Sequence, residues 1–185
     1  MTDKIVSFTS MRDGTKNDYR LLDQYEKDYI KLTGERILNY MEMMDQTLEG
    51  YRITRLEHAL QSATRALRDQ ASKEMVVATL LHDIGDALAP ANHSDFAAAI
   101  LRHYVTEKTW WIIKHHGLFQ QYYYGHHVGK DRNARDQYKT HPWYRDCVYF
   151  CEHWDQNSFD PDYPSLKLSD FSEMLLSVFK KPTQF

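Results

Sequence analysis

A chain of 185 residues is long enough to bury the core of one domain and short for two, so we expect a single domain. Its formal net charge is −3 and its acidic and basic residues are interspersed, which gives no footprint for nucleic acid and no basic patch for a membrane surface. No apolar run approaches the roughly 18 residues of a membrane span, and the N-terminus lacks the apolar segment of a secretion signal, so we expect a cytoplasmic protein that acts on a small molecule.

Apolar residues recur at helical spacing through most of the chain, and no run alternates as a half-buried strand does. The sequence therefore predicts an all-α fold, with an irregular arm at residues 1–17 and one helical domain at residues 18–185. Capping residues, glycines and prolines predict a first helix from Asp18 to about Thr33 and a second that follows at once and runs to about Gln46. Further helices are expected from Thr54 or a near neighbour, at Lys73–Ile84, His93–Tyr104, Thr106–Gly117 and Pro142–Asp155, and from Ser169. A turn that begins at Leu48 and contains Gly50 is expected before the third helix.

The segment from Leu118 to Lys139 has no clear period and is rich in cations and aromatic rings. Its length suits a functional loop, and a solvated surface excursion fits its composition equally well. Cys147 and Cys151 lie four residues apart on a predicted helix, where a disulfide would be strained, so we expect two buried thiols.

The helix predicted at Lys73–Ile84 is apolar on nearly all sides but ends in His82 and Asp83. Burying these groups without partners costs several kcal/mol, so a metal ion is the expected partner. Inward-facing positions of the other helices complete a candidate ligand set of His58, His82, Asp83, His93, His116 and Asp155. Each residue alone is more often a hydrogen-bonded core residue, but the whole set, without a thiolate, suits two first-row ions such as iron, manganese or zinc. Asp83 can bridge two ions through its two oxygens.

An isolated histidine, a His-Asp pair followed by Ile-Gly, and a distant aspartate together resemble the signature of the HD-domain superfamily. The matching residues are His58, His82, Asp83, Ile84, Gly85 and Asp155. The resemblance extends over roughly residues 48–177 and implies a helical bundle around metal. Two additional histidines, His93 and His116, are similar to those of the dinuclear branch of that superfamily, so the bundle is expected to hold a dinuclear site.

Finer motifs resemble the phosphonate-cleaving, mixed-valent di-iron oxygenases of the PhnZ and TmpB type. The motifs are Leu56–Ala63, Asn92–Asp95 and Lys114–Gly117, and two others, His115–Phe119 and Phe150–Asp155, are similar to inositol oxygenase. The resemblance implies two iron ions in the Fe(II)/Fe(III) state, O2 as co-substrate, and oxidation of the hydroxyl-bearing carbon of a 1-hydroxyalkylphosphonate. Cleavage of the C–P bond would give phosphate and a carboxylate, and an α-hydroxylating oxygenase is the expected preceding enzyme.

The chain departs from that template on the phosphonate side of the site. Asp86 stands where the phosphonate oxygenases have a histidine and inositol oxygenase a lysine, and Gln120 stands where the phosphonate oxygenases have a lysine. Other cations must then neutralise a phosphonate dianion, and Lys130, Arg132 and Arg135 are candidates. The same three residues fit surface charges equally well.

The other end of the substrate is expected to meet an aromatic box. Its candidates are Tyr51, Phe119, Tyr122, Tyr123, Tyr124 and Trp154, with Asp86 or Glu49 as a countercharge. Aromatic faces bind quaternary ammonium groups by cation–π attraction, which favours a substrate like 1-hydroxy-2-(trimethylammonio)ethylphosphonate and glycine betaine as product. Aromatic runs are also common in cores, and the primary amine 2-amino-1-hydroxyethylphosphonate, which would give glycine, stays open.

Two other functions stay open. An HD-type phosphohydrolase would use the same ions to activate water and would work without O2. A ligand-binding module without catalysis would follow if some of the ligand set did not meet a metal. The remaining histidines are expected at the surface or in structural hydrogen bonds: His103, His115, His126, His127, His141 and His153.

Overall fold

The computed structural model describes residues 5–46, 49–180 and 182, and within this part the chain is helical without a strand, which confirms the predicted fold class. Residues 1–4 of the predicted arm and Leu48, the predicted start of a turn, lie outside the described residues. None of the described helices combines the length and the hydropathy that a membrane span requires.

The described part of the chain contains eight α-helices: α1 (Lys16–Lys31), α2 (Thr33–Glu42), α3 (Arg55–Arg68), α4 (Lys73–Leu81), α5 (His93–Leu101), α6 (Glu107–Tyr124), α7 (Tyr144–Phe150) and α8 (Leu168–Val178). Short 3-10 helices at Ile84–Ala87 and Pro90–Asn92 connect α4 to α5. A single turn of π-helix, Cys151–Asp155, continues α7.

Helix α4 lies at the centre of the domain, as its apolar sequence predicts. Every residue from Met75 to Leu81 is buried, and α3, α6 and α8 pack around it. The hydroxyl of Ser72 caps α4 by accepting a hydrogen bond from the backbone N–H of Met75. Because each fully buried Leu or Val stabilises the fold by roughly 1.5–3 kcal/mol, α4 is a rigid base for the His-Asp pair at its end.

Helix α3 begins with a capping box between Thr54 and Glu57. The Thr54 hydroxyl accepts from the backbone N–H of Glu57, and the Glu57 carboxylate accepts from the N–H of Thr54 at 2.7 Å. The small residues Ala59 and Ala63 are fully buried and let α3 pack closely on α4. His58 is also fully buried, as the sequence predicts for this side of the helix.

The predicted end of the sixth helix at Gly117 is wrong. Helix α6 continues to Tyr124, so the first part of the predicted loop Leu118–Lys139 is helical, and 3-10 helices at Gly125–Val128 and Ala134–Tyr138 occupy much of the rest. A Cβ on Gly117 would lie 2.6 Å from the hydroxyl oxygen of Ser94. The glycine therefore permits close packing of α5 on α6 and does not end a helix.

The fourth helix likewise ends earlier than predicted, at Leu81, and the chain turns at His82 and Asp83 before Gly85. Other limits differ by a few residues, a scatter common at helix ends: α1 begins at Lys16 with Thr15 as its N-cap, α2 ends at Glu42, α5 ends at Leu101, α7 begins at Tyr144 and α8 at Leu168. Cys147 and Cys151 are buried free thiols, as expected.

Asp18, although charged, is buried and ties the segment before α1 to the helix. Its carboxylate accepts hydrogen bonds from the backbone N–H and hydroxyl of Ser7 at 2.8 and 3.1 Å. It also accepts from the backbone N–H and hydroxyl of Thr15 at 2.9 and 2.6 Å. The bonds from Thr15 and Ser7 stabilise the ionised form and hold the pKa of Asp18 well below its ordinary value.

We expect Asp18→Asn to lower the thermal unfolding midpoint at neutral pH, because the amide cannot accept all of these bonds. Since folding lowers the pKa of Asp18, its ionised form stabilises the fold above the ordinary value of 3.8, and this contribution is lost as the pH falls further. The difference between wild type and variant should therefore shrink in acid. Asp23→Asn, which removes an exposed pair with Lys27, is the control and should change the midpoint little. An equal difference at every pH would contradict this account.

Candidate metal centre

The residues predicted as metal ligands meet at one place in the fold. They are His58 of α3, His82 and Asp83 of the turn after α4, His93 at the start of α5, His116 of α6 and Asp155 of the π turn. All of these side chains are buried except that of His93, which is 28% exposed and faces a cavity.

One group of donors forms around His58 and His82. Their Nε2 atoms lie 3.1 Å apart, and each lies 3.3 Å from Oδ2 of Asp83. Asp155 Oδ1 is 3.3 Å from Nε2 of His58 and 3.7 Å from that of His82. His58, His82 and Asp155 thus bring three donor atoms within 4.8 Å of one another, as around a single cation, and Asp83 adds an oxygen beside the two imidazoles.

A second group forms on the other oxygen of the same carboxylate. Asp83 Oδ1 lies 3.2 Å from Nε2 of His116 and 3.5 Å from Nε2 of His93. Asp83 thus presents one oxygen to each pair of histidines. This arrangement is what a carboxylate that bridges two metal ions requires.

Backbone carbonyls orient the imidazoles from behind. Nδ1 of His58 lies 2.8 Å from the carbonyl oxygen of Ser158, and Nδ1 of His82 lies 2.7 Å from that of Thr79. Nδ1 of His116 lies 2.6 Å from the carbonyl oxygen of Ile113. A carbonyl oxygen only accepts, so Nδ1 carries the hydrogen and, in the neutral ring, Nε2 keeps a lone pair. Converging lone pairs repel one another unless a cation lies between them, and this donor set therefore fits metal.

The pKa values of His82 and Asp83 depend on the charged groups around them. Burial acts to lower the pKa of His82, but Asp83 and Asp155 outweigh it and hold the pKa well above its ordinary value. Burial acts to raise the pKa of Asp83, but His82 and Arg55 hold it well below. The buried carboxylates thus favour positive charge beside them, which protons or metal ions can supply.

The π turn determines where Asp155 points. Wider spacing in Cys151–Asp155 interrupts the α-helical register directly after α7, and such turns often occur at functional sites. Trp154, next in the turn, donates from Nε1 to Asp69 at 3.0 Å. The buried indole also packs on the rings of Tyr149 and Phe150 and is not among the residues that line the cavity described below. Trp154 therefore does not join the aromatic box in which the sequence predicts it.

A cavity of about 720 Å³ opens beside the second group of donors. Several predicted substrate-binding residues line it: Tyr51, Asp86, Gln120, Tyr123 and Tyr124. Gln120 donates from Nε2 to Asp155 Oδ1 at 3.1 Å, and its buried Oε1 has no partner among the described atoms. An unpaired buried acceptor next to a candidate metal centre is available to a ligand.

Other predicted substrate contacts lie away from this cavity. Phe119 is fully buried and packs on the rings of Trp111 and Tyr144 in the core. The guanidinium carbons of Arg132 and Arg135 lie over the ring of Tyr122, at 4.4 and 3.7 Å from its centre. Lys130 is exposed. None of these residues is among those that line the cavity.

Several residues of the cavity wall are absent from the predicted site, and Arg55 and Phe159 make the most contacts with its residues. Arg55, at the start of α3, is buried and pairs with Asp83 and with Asp86. Phe159 stacks on the ring of His58 at 4.4 Å and on Tyr51 at 5.3 Å. Arg55 could be predicted from the sequence as a site residue, because it lies three residues before His58 and therefore on the same side of the helix. Phe159 lies in a connection without a period, and its sequence gives no signal.

These contacts define a candidate dinuclear centre of histidines and aspartates in a helical domain. No family model matches the chain. Over 61 residues the chain is 43% identical to a hydroxymethylphosphonate dioxygenase of Gimesia maris, and the matched part is 31% of this chain and 30% of that relative. The chain thus matches less than a third of the relative's length.

We expect His93→Ala and His116→Ala each to remove about one metal ion per chain from protein reconstituted with iron, because each leaves only one imidazole in the second group. Elemental analysis after gel filtration measures the loss. His126→Ala, an exposed histidine outside the cavity, is the control and should retain the wild-type content. Wild-type metal content in both His93 and His116 variants would contradict the assignment of the second group.

We expect Gly85→Ala to displace His93. The new Cβ would lie 2.7 Å from both the Cα and the carbonyl oxygen of His93, so the start of α5 must shift. Overpacking of this kind costs about 1–3 kcal/mol and should also weaken metal binding at the second group. Gly125→Ala is the control, because its nearest neighbour would be at 3.5 Å. Thermal unfolding and metal analysis of both variants check the prediction, and equal behaviour would contradict it.

Proposed function

We propose that the protein is an O2-dependent oxygenase that cleaves the C–P bond of a 1-hydroxyalkylphosphonate. The observation that carries the proposal is the carboxylate of Asp83, which faces a different pair of histidines with each of its oxygens. The similarity over 61 residues to a hydroxymethylphosphonate dioxygenase supports the same reaction class.

The proposed cofactor is a pair of iron ions in the Fe(II)/Fe(III) state. One would be held by His58, His82 and Asp155, the other by His93 and His116, with Asp83 shared. When bound, the irons would supply the activation of O2 that no side chain of this chain can provide.

The proposed reaction converts the hydroxyphosphonate and one O2 into a carboxylate, phosphate and one proton. The C–H and C–P bonds at the hydroxyl-bearing carbon break, a C–O and a P–O bond form, and O2 is the oxidant that is reduced. Such a substrate must be supplied by a reaction that hydroxylates the carbon next to phosphorus. We therefore propose an α-hydroxylating oxygenase as the preceding enzyme.

The chain itself binds the substrate, orients it and limits access of water. The free Oε1 of Gln120 can accept a hydrogen bond from the substrate hydroxyl, because its Nε2 is engaged by Asp155. Phe159 and Tyr51 stack over His58 and form an apolar wall on that side of the cavity. Excluding water here protects a reactive intermediate from side reactions.

The head group of the proposed substrate is trimethylammonium. Three tyrosines of the predicted box, Tyr51, Tyr123 and Tyr124, line the cavity and offer aromatic faces to such a cation. Asp86 is engaged by Arg55 and so contributes little free countercharge. Hydroxymethylphosphonate, which lacks a head group, would use the cavity without contacting these rings.

Iron-loaded protein should consume O2 and release phosphate in equal amounts when given a 1-hydroxyalkylphosphonate. Hydroxymethylphosphonate, 2-amino-1-hydroxyethylphosphonate and 1-hydroxy-2-(trimethylammonio)ethylphosphonate form the test panel, and the last should show the highest kcat/KM. His116→Ala should be inactive and His126→Ala active. A preference for hydroxymethylphosphonate would contradict the proposed trimethylammonium head group but would still support the proposed reaction class.

Anaerobic assays test the alternative of a phosphohydrolase. Release of phosphate from phosphate monoesters by manganese-loaded protein without O2, together with no O2 uptake on any hydroxyphosphonate, would contradict the oxygenase proposal. Electron paramagnetic resonance of partly reduced, iron-loaded protein gives an independent measurement, because a coupled Fe(II)/Fe(III) pair has a signal that two isolated ions lack.

A further inference from the structure

Arg55 is the buried cation of the cavity wall. Its side chain is 8% exposed, and Nε donates to Oδ2 of Asp86 at 2.7 Å while Nη2 donates to Oδ2 of Asp83. These two bonds occupy one edge of the guanidinium, which carries five N–H donors in all. The guanidinium carbon also lies 5.3 Å from the ring centre of Tyr51, across the cavity wall.

The cavity needs a cation for a phosphonate, and few residues can supply one. Among the described residues that line it, the arginines are Arg52, which is exposed, and Arg55, which is buried. The lining also contains the carboxylates of Asp83, Asp86 and Asp155. Bound metal ions would supply part of the positive charge that a dianion needs beside these carboxylates, and a planar guanidinium fork adds donors that match two oxygens of a tetrahedral anion.

Asp86 fixes the position of Arg55 relative to the second group of histidines. Its Oδ2 accepts from Arg55, and its Oδ1 lies 3.5 Å from Nδ1 of His93. One carboxylate thus separates the guanidinium from a candidate metal ligand. Arg55, His93 and His116 line the same cavity, so a small molecule beside the two histidines lies near Arg55.

We propose that Arg55 binds the phosphonate oxygens of the substrate and that Asp86 positions it for this contact. The proposal rests on the proposed function for the identity of the anion, because a phosphate group has the same tetrahedral charge. In this role Arg55 takes the place of Lys130, Arg132 and Arg135, which do not line the cavity. It explains why an acidic residue stands at position 86: a second carboxylate beside Asp83 anchors a guanidinium.

The test measures anion binding without turnover. Methylphosphonate, which lacks the hydroxyl, is titrated into zinc-loaded protein by calorimetry, with metal content measured for each variant. Arg55→Gln should weaken its binding about 10- to 100-fold, and Arg55→Lys, which keeps the charge and loses the fork, should weaken it less. Asp86→Asn should weaken binding about 3- to 10-fold, and Asp86→Glu should restore part of the loss. Arg68→Gln, an exposed arginine of the same helix, is the control and should bind as wild type.

A second measurement uses the wild-type protein, so that misfolding of a variant cannot hide the answer. The Nε–H signal of Arg55 in nitrogen-15 spectra of zinc-loaded protein, assigned by its absence in Arg55→Lys, should shift with the Kd found by calorimetry. Methylphosphonate binding without that shift, or unchanged affinity in metal-loaded Arg55→Gln, would overturn the proposal. If the shift occurs but no hydroxyphosphonate supports O2 uptake, the proposed function fails and Arg55 stands as the site of another tetrahedral anion.

Discussion

The carboxylate of Asp83 is the constraint on which the rest of the site depends. A buried carboxylate is costly without positive partners, and here one oxygen faces His58 and His82 while the other faces His93 and His116. Four elements must therefore hold their imidazoles within about 3.5 Å of a single side chain. The central, fully buried α4 makes this possible, because it places Asp83 at the end of a helix that cannot shift without disturbing the core.

Negative and positive side chains at this site are paired with one another. Asp86 adds a second carboxylate near Asp83, and Arg55 compensates it from the first turn of α3. Removing one partner of such a buried pair is strongly destabilising, whereas the pair itself stabilises the fold little. The buried pair of Arg55 and Asp86 in the cavity wall is therefore better explained by recognition of a ligand than by stabilisation of the fold. The carboxylates, the arginine and the free oxygen of Gln120 make the cavity polar beside the candidate metal centre, and Tyr51 and Phe159 add an apolar wall next to His58.

Glycines set the distances between the elements that carry the ligands. At Gly117 and Gly85 a single methyl group would contact Ser94 or the backbone of His93 at under 3 Å. Both positions resemble helix ends in the sequence, because glycine is common there. In the fold they are points of close approach, which bring α5 near enough for His93 to face Asp83. A local propensity and a tertiary contact thus favour the same residue for different reasons.

The sequence alone determined the helical fold class and the buried course of α4. It also determined the candidate ligand set, because periodicity assigns each histidine and aspartate to the apolar side of its helix, and burial of such groups requires partners. Only the tertiary structure decided which residues form the cavity. The positions of Arg55 and Phe159 in the cavity wall depend on contacts between segments far apart in the chain. The position of Arg135 over the ring of Tyr122, away from the cavity, likewise depends on how the chain folds back after α6. Periodicity reports which side of a helix is buried, but the partner across a cavity is fixed by how the helices pack.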